Sequence, residues 1–497
     1  MSLVERGGFK HEVFYSSIKQ RRLQNNVYAI RDMTGEIKDS PRDISEAFQQ
    51  YYSQLLGTSM QDREKVQRSN LEAGPLLNDD QRQKILGYPT VEEVKATVFS
   101  IKGDKSPGPD GFGSFFFQGN WDIVGKEVYK AVRSFFYSGK ILKEFNTTFL
   151  TFSPKVNCPR DVTEFRPIAC CNTIYKCITK ILCSRMKDTL PELIAENQGA
   201  FVHGRFIVHN IMVCQDLVRR YGRKNTSPSC MIKLDLRKAY DTVEWDFVRE
   251  MLIGLNFPHQ FTEWVMECIT TPMFSLVLNG IPHGFFKSKR GLRQGDPLSP
   301  LIFVLCMEYL LRSMRKMAED KQFQFHPRCK AMALTHLCFA DDLILCCKGE
   351  PYSIQKILQS FNHFLKVSGL TANNSKTEVY SCGMKEEVIN NIIDQSGFKK
   401  GSLPFKHLGV PICSKRISVS QCEKLLEQMT ARIRIWSSRN LSFAGRSQLI
   451  NIVLLSIHQY WAQVFVLPVR VLRNIEQICR AYLWSRVWYS TAPGYIS

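Results

Sequence analysis

The sequence predicts a mixed α/β core with helical segments before and after it, divided into roughly two to four lobes. Three observations carry this. Apolar runs of strand length stand at Phe149–Phe152, Cys230–Asp235, Phe274–Leu278 and Leu337–Cys347, with helical patterns between them. Apolar residues recur at helical spacing toward both ends of the chain. The length of 497 residues exceeds what one ordinary hydrophobic core covers.

In chain order, Asp43 reads as a helix N-cap, after which Ile44, Phe48, Tyr51 and Leu55 keep helical spacing until Gly57. Between Ser69 and Asp80 the pattern fades into a polar linker. A new unit begins near Thr90, where Val91, Val94 and Val98 suggest an amphipathic helix. The next stretch, Ser106-Pro107-Gly108-Pro109-Asp110-Gly111, has two prolines and two glycines in six residues and reads as turns. The α/β texture runs from about Thr147 to Pro411, with Asn279-Gly280 as a hairpin signal. From Ser420 the chain turns helical again. Leu425, Met429 and Ile433 form one stripe; Leu449, Ile450, Val453, Leu454, Ile457 and Tyr460 form another.

Composition narrows the function. Hydrophobic residues make up 44% and charged residues 23%, as in a folded protein rather than a disordered one. Lys and Arg outnumber Asp and Glu by 66 to 46, giving a net charge of +20 that attracts polyanions. The positive charge is spread along the chain, which favours a lined groove over a basic arm. The 17 cysteines show no zinc spacing, and pairs such as Cys170–Cys171 and Cys346–Cys347 lie inside apolar runs like reduced core cysteines. Met1 to Lys10 lacks the apolar stretch of a signal peptide. The apolar tracts Leu298–Leu311 and Leu449–Leu467 are interrupted by polar residues, so no membrane span is expected. An intracellular, reducing setting follows.

Two acidic sites carry the chemistry. The first is Asp235, which ends the apolar run Met231-Ile232-Lys233-Leu234. The second is Asp341-Asp342, a carboxylate pair inside Leu337–Leu345 that reads as a hairpin tip. Each has a plain alternative: Asp235 as a helix N-cap, Asp341-Asp342 as a β-turn. Their combination points further. Nucleotidyl transfer uses two divalent metals about 3.5–4 Å apart, held by carboxylates on rigid neighbouring elements.

These residues lie in segments that resemble reverse transcriptases of plant LINE-type (non-LTR) retrotransposons. Lys233-Leu234-Asp235 with Lys238-Ala239-Tyr240-Asp241 resembles polymerase motif A, and Phe339-Ala340-Asp341-Asp342 resembles motif C. Between them Gly291-Leu292-Arg293-Gln294-Gly295-Asp296-Pro297-Leu298-Ser299-Pro300 is similar to motif B, so the order A, B, C is kept. Pro154-Lys155 with Glu164-Phe165-Arg166-Pro167-Ile168 resembles the fingers segment, and Glu196–Phe201 with Gly204-Arg205 the next block. Ser368-Gly369-Leu370 through Lys376 resembles motif D, and His407-Leu408-Gly409-Val410-Pro411 the primer-grip turn. Ser17–Arg22 and Leu441–Arg446 are similar to the flanks in plant elements. Ser153 and His407 depart from the pattern, standing where an aliphatic and an aromatic residue are usual.

The resemblance implies a right-hand polymerase. Its expected parts are a helical basic extension at 1–80, a fingers extension at 81–135, fingers and palm at 136–413, and a helical thumb-like region at 414–497. It implies RNA-directed DNA synthesis from a primer 3′-hydroxyl, with an RNA template, a DNA primer and deoxynucleoside triphosphates as partners. Asp235, Asp341 and Asp342 would hold two Mg²⁺ ions, with Mn²⁺ an alternative. Lys155, Arg166 and Arg205 would contact substrate, Gln294 and Gly295 template and nucleotide, and Tyr240 the sugar. Lys376 would protonate the leaving pyrophosphate. No endonuclease constellation is visible, so extension of a supplied end is expected, and the nucleus is the expected place of synthesis. Two other readings share these features: a remnant that only binds RNA, and a group II intron maturase.

Overall fold

The computed structural model describes residues 25–219, 221–223, 226–437 and 441–484. The Ser17–Arg22 flank lies outside them. In chain order the strands are β1 (Ile30–Arg31), β2 (Ile37–Lys38), β3 (Thr147–Pro154), β4 (Phe165–Cys171), β5 (Ser229–Leu234) and β6 (Met273–Leu278). There follow β7 (Ile281–Lys287), β8 (His336–Phe339), β9 (Asp342–Lys348), β10 (Glu378–Cys382), β11 (Lys399–Lys400), β12 (Phe405–His407) and β13 (Val410–Ile412). With helices between them, the mixed α/β fold expected from the sequence is the fold observed. The chain divides into two compact units, both discontinuous in sequence.

The first unit comprises Met1–Gly204, Asp235–Phe323 and Gln355–Asn373. Its sheet has the order β4-β3-β6-β7, with β3 antiparallel to β4 and parallel to β6. Asn279 and Gly280 join β6 to β7 with φ of +51° and +87°, the left-handed pair a tight hairpin requires. Helix Pro41–Gly57 buries Ile44, Phe48, Tyr51, Tyr52 and Leu56, and Phe48 packs on Phe152 and Phe165 of the sheet. Its cap is Ser40, whose hydroxyl accepts from the Asp43 N–H, so Asp43 sits inside the first turn instead. Pro41 at the first helical position explains the shift. The helix expected after Thr90 is Val91–Phe99, capped by the Thr90 side chain and burying Val94 and Val98.

The segment from Ser69 to Asp80 is not a polar linker. Leu71 and Leu77 are buried, and the buried Arg312 donates to the carbonyls of Leu71, Pro75 (2.6 Å) and Leu193 (2.9 Å). A Cβ at Gly74 would lie 2.8 Å from Arg312 Nε, so glycine leaves room for the guanidinium. Arg312 belongs to helix Ser299–Met317, whose residues Ile302 to Met314 are all buried.

The second unit comprises Arg205–Leu234, Gln324–Ile354 and Asn374–Ser497. Its sheet has the order β11-β10-β5-β9-β8. β5 lies inside it, antiparallel to both β9 and β10, and all its residues but Lys233 are buried. That explains a continuous apolar run in place of an alternating one. Ile211 and Cys214 of helix Ile207–Val218 share a core with Met231, Ile344 and the stripe Leu425, Met429, Ile433 of helix Glu423–Ser437. Of the second stripe, Ile450 and Leu454 are buried, in one π-helical turn at Ile450–Leu454. All 17 cysteines are outside disulfides.

Candidate functional site

In the second unit, β5 runs out at Leu234, which pairs with Leu343 of β9. β9 starts at Asp342, paired with Phe339 across a two-residue turn of Ala340 and Asp341. Ala340 holds a φ of +56°, a conformation that an alanine adopts only at some cost. Asp341 and Asp342 are exposed, while Leu337, Cys338 and Leu343 to Cys347 are buried. The turn reading and the functional reading of this pair are therefore compatible. β10 flanks β5 on its other side, with Glu378 opposite Lys233, and the exposed Lys376 lies two residues ahead of it. Asp342 and Lys376 thus stand toward the same end of this sheet. Arg205, half-buried, precedes helix Ile207–Val218.

In the same unit, His407 takes its place in the β12–β13 hairpin, turned by Leu408 (φ +46°) and Gly409 (φ +89°). The residue is 3% exposed, and neither ring nitrogen has a hydrogen-bond partner. Burial, with the nearby Lys233 charge, brings its pKa down to about 4. It behaves as the apolar ring usual at this position.

The first unit holds the remaining candidates. Asp235, half-buried, accepts from Asn373 Nδ2 at 2.8 Å. It caps no helix: the next one, Ala239–Thr242, starts after Lys238 and has no side-chain cap. Tyr240 is half-buried and stacks on Phe303, with centroids 4.5 Å apart and planes at 19°. Gln294 Nε2 donates to Asp241 Oδ1 at 3.0 Å, and the Gln294 carbonyl accepts from the Ala169 N–H at 2.7 Å. Gly295 has φ +111°, and a Cβ there would lie 2.9 Å from the Ala169 carbonyl oxygen. The glycine is thus required by its own chain, a reason additional to room for a nucleotide.

Lys155 and Arg166 are exposed at the β3–β4 end, where Arg166 pairs with Ser153 and Lys155 Nζ donates to the Thr163 carbonyl at 2.9 Å. Both act on Asp241. Burial raises its pKa, while Lys238, the Gln294 hydrogen bond, Lys155 and Arg166 oppose the rise.

Several residues of this region had no role in the sequence reading. Lys238, in the left-handed conformation at φ +49°, sits over the Tyr51 ring at 4.2 Å, and burial brings its pKa down to about 8. Arg293 is buried over the Tyr175 ring (4.0 Å) and donates to Asn146 (2.7 Å), Thr148 (3.0 Å) and the Cys268 carbonyl (2.7 Å). Its place inside the segment that resembles motif B was its only signal. Asn373 had none. Among the described residues, no three of His, Cys, Asp and Glu form a group ready to hold a metal ion, and no helix is long and apolar enough to cross a membrane.

The family model described as reverse transcriptase (RNA-dependent DNA polymerase) matches residues 154–412, which include every candidate site residue. The chain is 25% identical over 492 residues to the transposon TX1 uncharacterized 149 kDa protein of Xenopus laevis, covering 96% of this chain and 36% of that protein. It is 25% identical over 308 residues to the retrovirus-related Pol polyprotein from type-2 retrotransposable element R2DM of Drosophila melanogaster, covering 62% of this chain and 27% of that one. A shorter match, 42% identical over 67 residues, covers 13% of this chain and 55% of the uncharacterized mitochondrial protein AtMg01250 of Arabidopsis thaliana. The chain spans about a third, or less, of the length of the first two relatives.

Proposed function

The chain belongs to the reverse transcriptase (RNA-dependent DNA polymerase) family, and we propose that it copies RNA into DNA for a non-LTR retrotransposon by extending a primer 3′-hydroxyl. One observation carries this reading beyond family membership. The tip of a hairpin whose strands are buried presents two exposed carboxylates, Asp341 and Asp342, beside the strand that leads into Asp235. Exposed charge at the end of a buried ladder does nothing for the core, and suits a cation.

Asp235, Asp341 and Asp342 offer hard oxygen donors of the kind Mg²⁺ and Mn²⁺ take. Mg²⁺ commonly takes only one or two protein carboxylates and draws further ligands from substrate phosphates and water. Two such ions, when bound, make the primer hydroxyl a better nucleophile and neutralise charge on the triphosphate. Lys155, Arg166 and Arg205 attract the triphosphate and template backbone. Gln294 contacts nucleotide and template, and Lys376 gives a proton to the departing pyrophosphate. Placement among plant LINE-type elements rests on the sequence blocks.

The test is primer extension on an RNA template with dNTPs and Mg²⁺ or Mn²⁺. Metal-dependent growth of a complementary DNA strand is expected. A folded chain that binds the template–primer and never extends it would be an RNA-binding remnant instead.

A further inference from the structure

Asp241 is 5% exposed, and the reaction as described gives it no task. We propose that Asp241 is a positioning residue that fixes the orientation of the Gln294 amide and, through it, the contact Gln294 makes with the incoming nucleotide. The inference rests on the reverse transcriptase reading above.

The NH₂ end of Gln294 faces the Asp241 carboxyl group, donating from Nε2 to Oδ1 at 3.0 Å. The amide oxygen is then turned the other way, toward a donor on the nucleotide such as a sugar hydroxyl or a base N–H. Without a fixed acceptor at Oδ1, the two ends of the amide would compete for that outward place.

The backbone makes the pair rigid. Leu292 N–H donates to the Tyr240 carbonyl at 2.6 Å, Gly291 N–H to the Val243 carbonyl at 2.8 Å, and Ala169 N–H to the Gln294 carbonyl at 2.7 Å. A Cβ on Gly291 would lie 2.6 Å from the Asp241 carbonyl oxygen, so the two segments touch main chain to main chain. Burial raises the pKa of Asp241, and nearby positive charge opposes that rise. Lys238 is the strongest of the neighbours that oppose the effect of burial on Asp241. Lys238 is itself held from helix Pro41–Gly57, where its Nζ meets the Tyr51 hydroxyl and lies over the Tyr51 ring.

The test is a double-mutant cycle in the primer-extension assay. Asp241→Asn keeps the volume but can present either end of its own amide, so the preference is lost. Its KM for dNTP should rise about tenfold with kcat changed less than about twofold, and template–primer affinity should be unchanged. In a Gln294→Met background the same substitution should alter neither parameter. Equal losses in both backgrounds, or a wild-type KM for Asp241→Asn, would overturn the proposal. If Asp241→Asn does not fold, Gln294→Glu decides. It turns an acceptor onto an acceptor and should raise KM beyond Gln294→Met; equal values overturn the proposal. A wild-type chain that extends no primer removes the reading beneath, and this inference with it.

Discussion

Asn373 grips Asp235 twice: its side-chain Nδ2 donates to Oδ2 at 2.8 Å, and its backbone N–H donates to the Asp235 carbonyl, also at 2.8 Å. The grip has company. Arg237 N–H donates to the Thr371 carbonyl at 2.8 Å, and Leu236 bridges Ala372. The main chain just past Asp235 is thus bound to the segment after helix Pro351–Ser368. The side-chain bond sets the rotation of the carboxylate, as outer partners of metal ligands commonly do.

Asn373→Ala should therefore weaken extension by about tenfold, while Asp235→Asn or Asp341→Asn should reduce it below detection. Template–primer binding should survive in all three, because backbone contacts carry it. Steady-state extension and a gel-shift titration check both claims. Near-wild-type rates for either aspartate variant would show that the metal assignment is mistaken.

The second prediction concerns stability. Arg312 Nε and Glu308 Oε1 are 2.9 Å apart, fully buried, and Glu308 Oε2 accepts from the Ala195 N–H at 2.9 Å. Replacing a buried pair with apolar residues is often harmless, but here Arg312 also serves the Leu71, Pro75 and Leu193 carbonyls. Arg312→Met should cost about 3–5 kcal/mol, since it strands the carboxylate. Adding Glu308→Leu should recover only part, because each stranded carbonyl costs about 1–3 kcal/mol. Urea midpoints measure the losses. New protease cleavage between Ser69 and Asp80 would locate them; full recovery in the double variant would refute the argument.

That segment also shows where sequence reasoning stopped. The apolar runs at β3, β5, β6 and β8–β9 were legible because burial on a sheet leaves a pattern in side chains. Asn279-Gly280 was legible because a left-handed pair needs those residues. Ser69–Asp80 was illegible because its anchors are main-chain carbonyls met by an arginine more than 230 residues away. Backbone groups are the same in every sequence. Site residues divide in the same way. Asp235, Asp341 and Asp342 stood out as charges ending or interrupting apolar runs. The hold of Asn373 on Asp235, and of Asp241 on Gln294, depends on chain returns that no local pattern encodes.

The third prediction is a pH dependence. His407 titrates near 4 in the folded chain, against about 6.5 when unfolded. Between those values the unfolded state binds more protons, so stability falls as pH drops from about 6.5 toward 4. Above 6.5 the ring is neutral in both states and the term vanishes. His407→Phe removes it, and also removes two buried nitrogens with no partner. The variant should be the more stable at neutral pH, and its advantage should grow by up to about 3 kcal/mol at pH 4. Unfolding midpoints of both proteins across this range provide the test. A constant difference would mean the ring gains a proton, or a partner, within the fold.

The last prediction concerns the sugar, and begins from the stacking of Tyr240 on Phe303. Phe303 lies in helix Ser299–Met317, whose surroundings there are buried, so one face of the Tyr240 ring rests on a rigid support. In reverse transcriptases that this sequence resembles, an aromatic ring at this place meets the sugar of the incoming nucleotide. A backed ring cannot retreat, so a 2′-hydroxyl would overlap it and closure around a ribonucleotide would fail. Tyr240→Val should raise ribonucleotide incorporation about tenfold or more relative to deoxynucleotide, equal to about 1.4 kcal/mol in differential barrier. Phe303→Leu keeps the ring but thins its support, and should relax selection in the same direction by less. The measurement is the ratio of dNTP to rNTP efficiency on one RNA template for the three proteins. If Tyr240→Val left that ratio unchanged, the ring would be a packing element of the Phe303 stack and the sugar would be read elsewhere. If Tyr240→Val changed it and Phe303→Leu did not, the ring would hold its place without the stack, and only the argument from backing would fall.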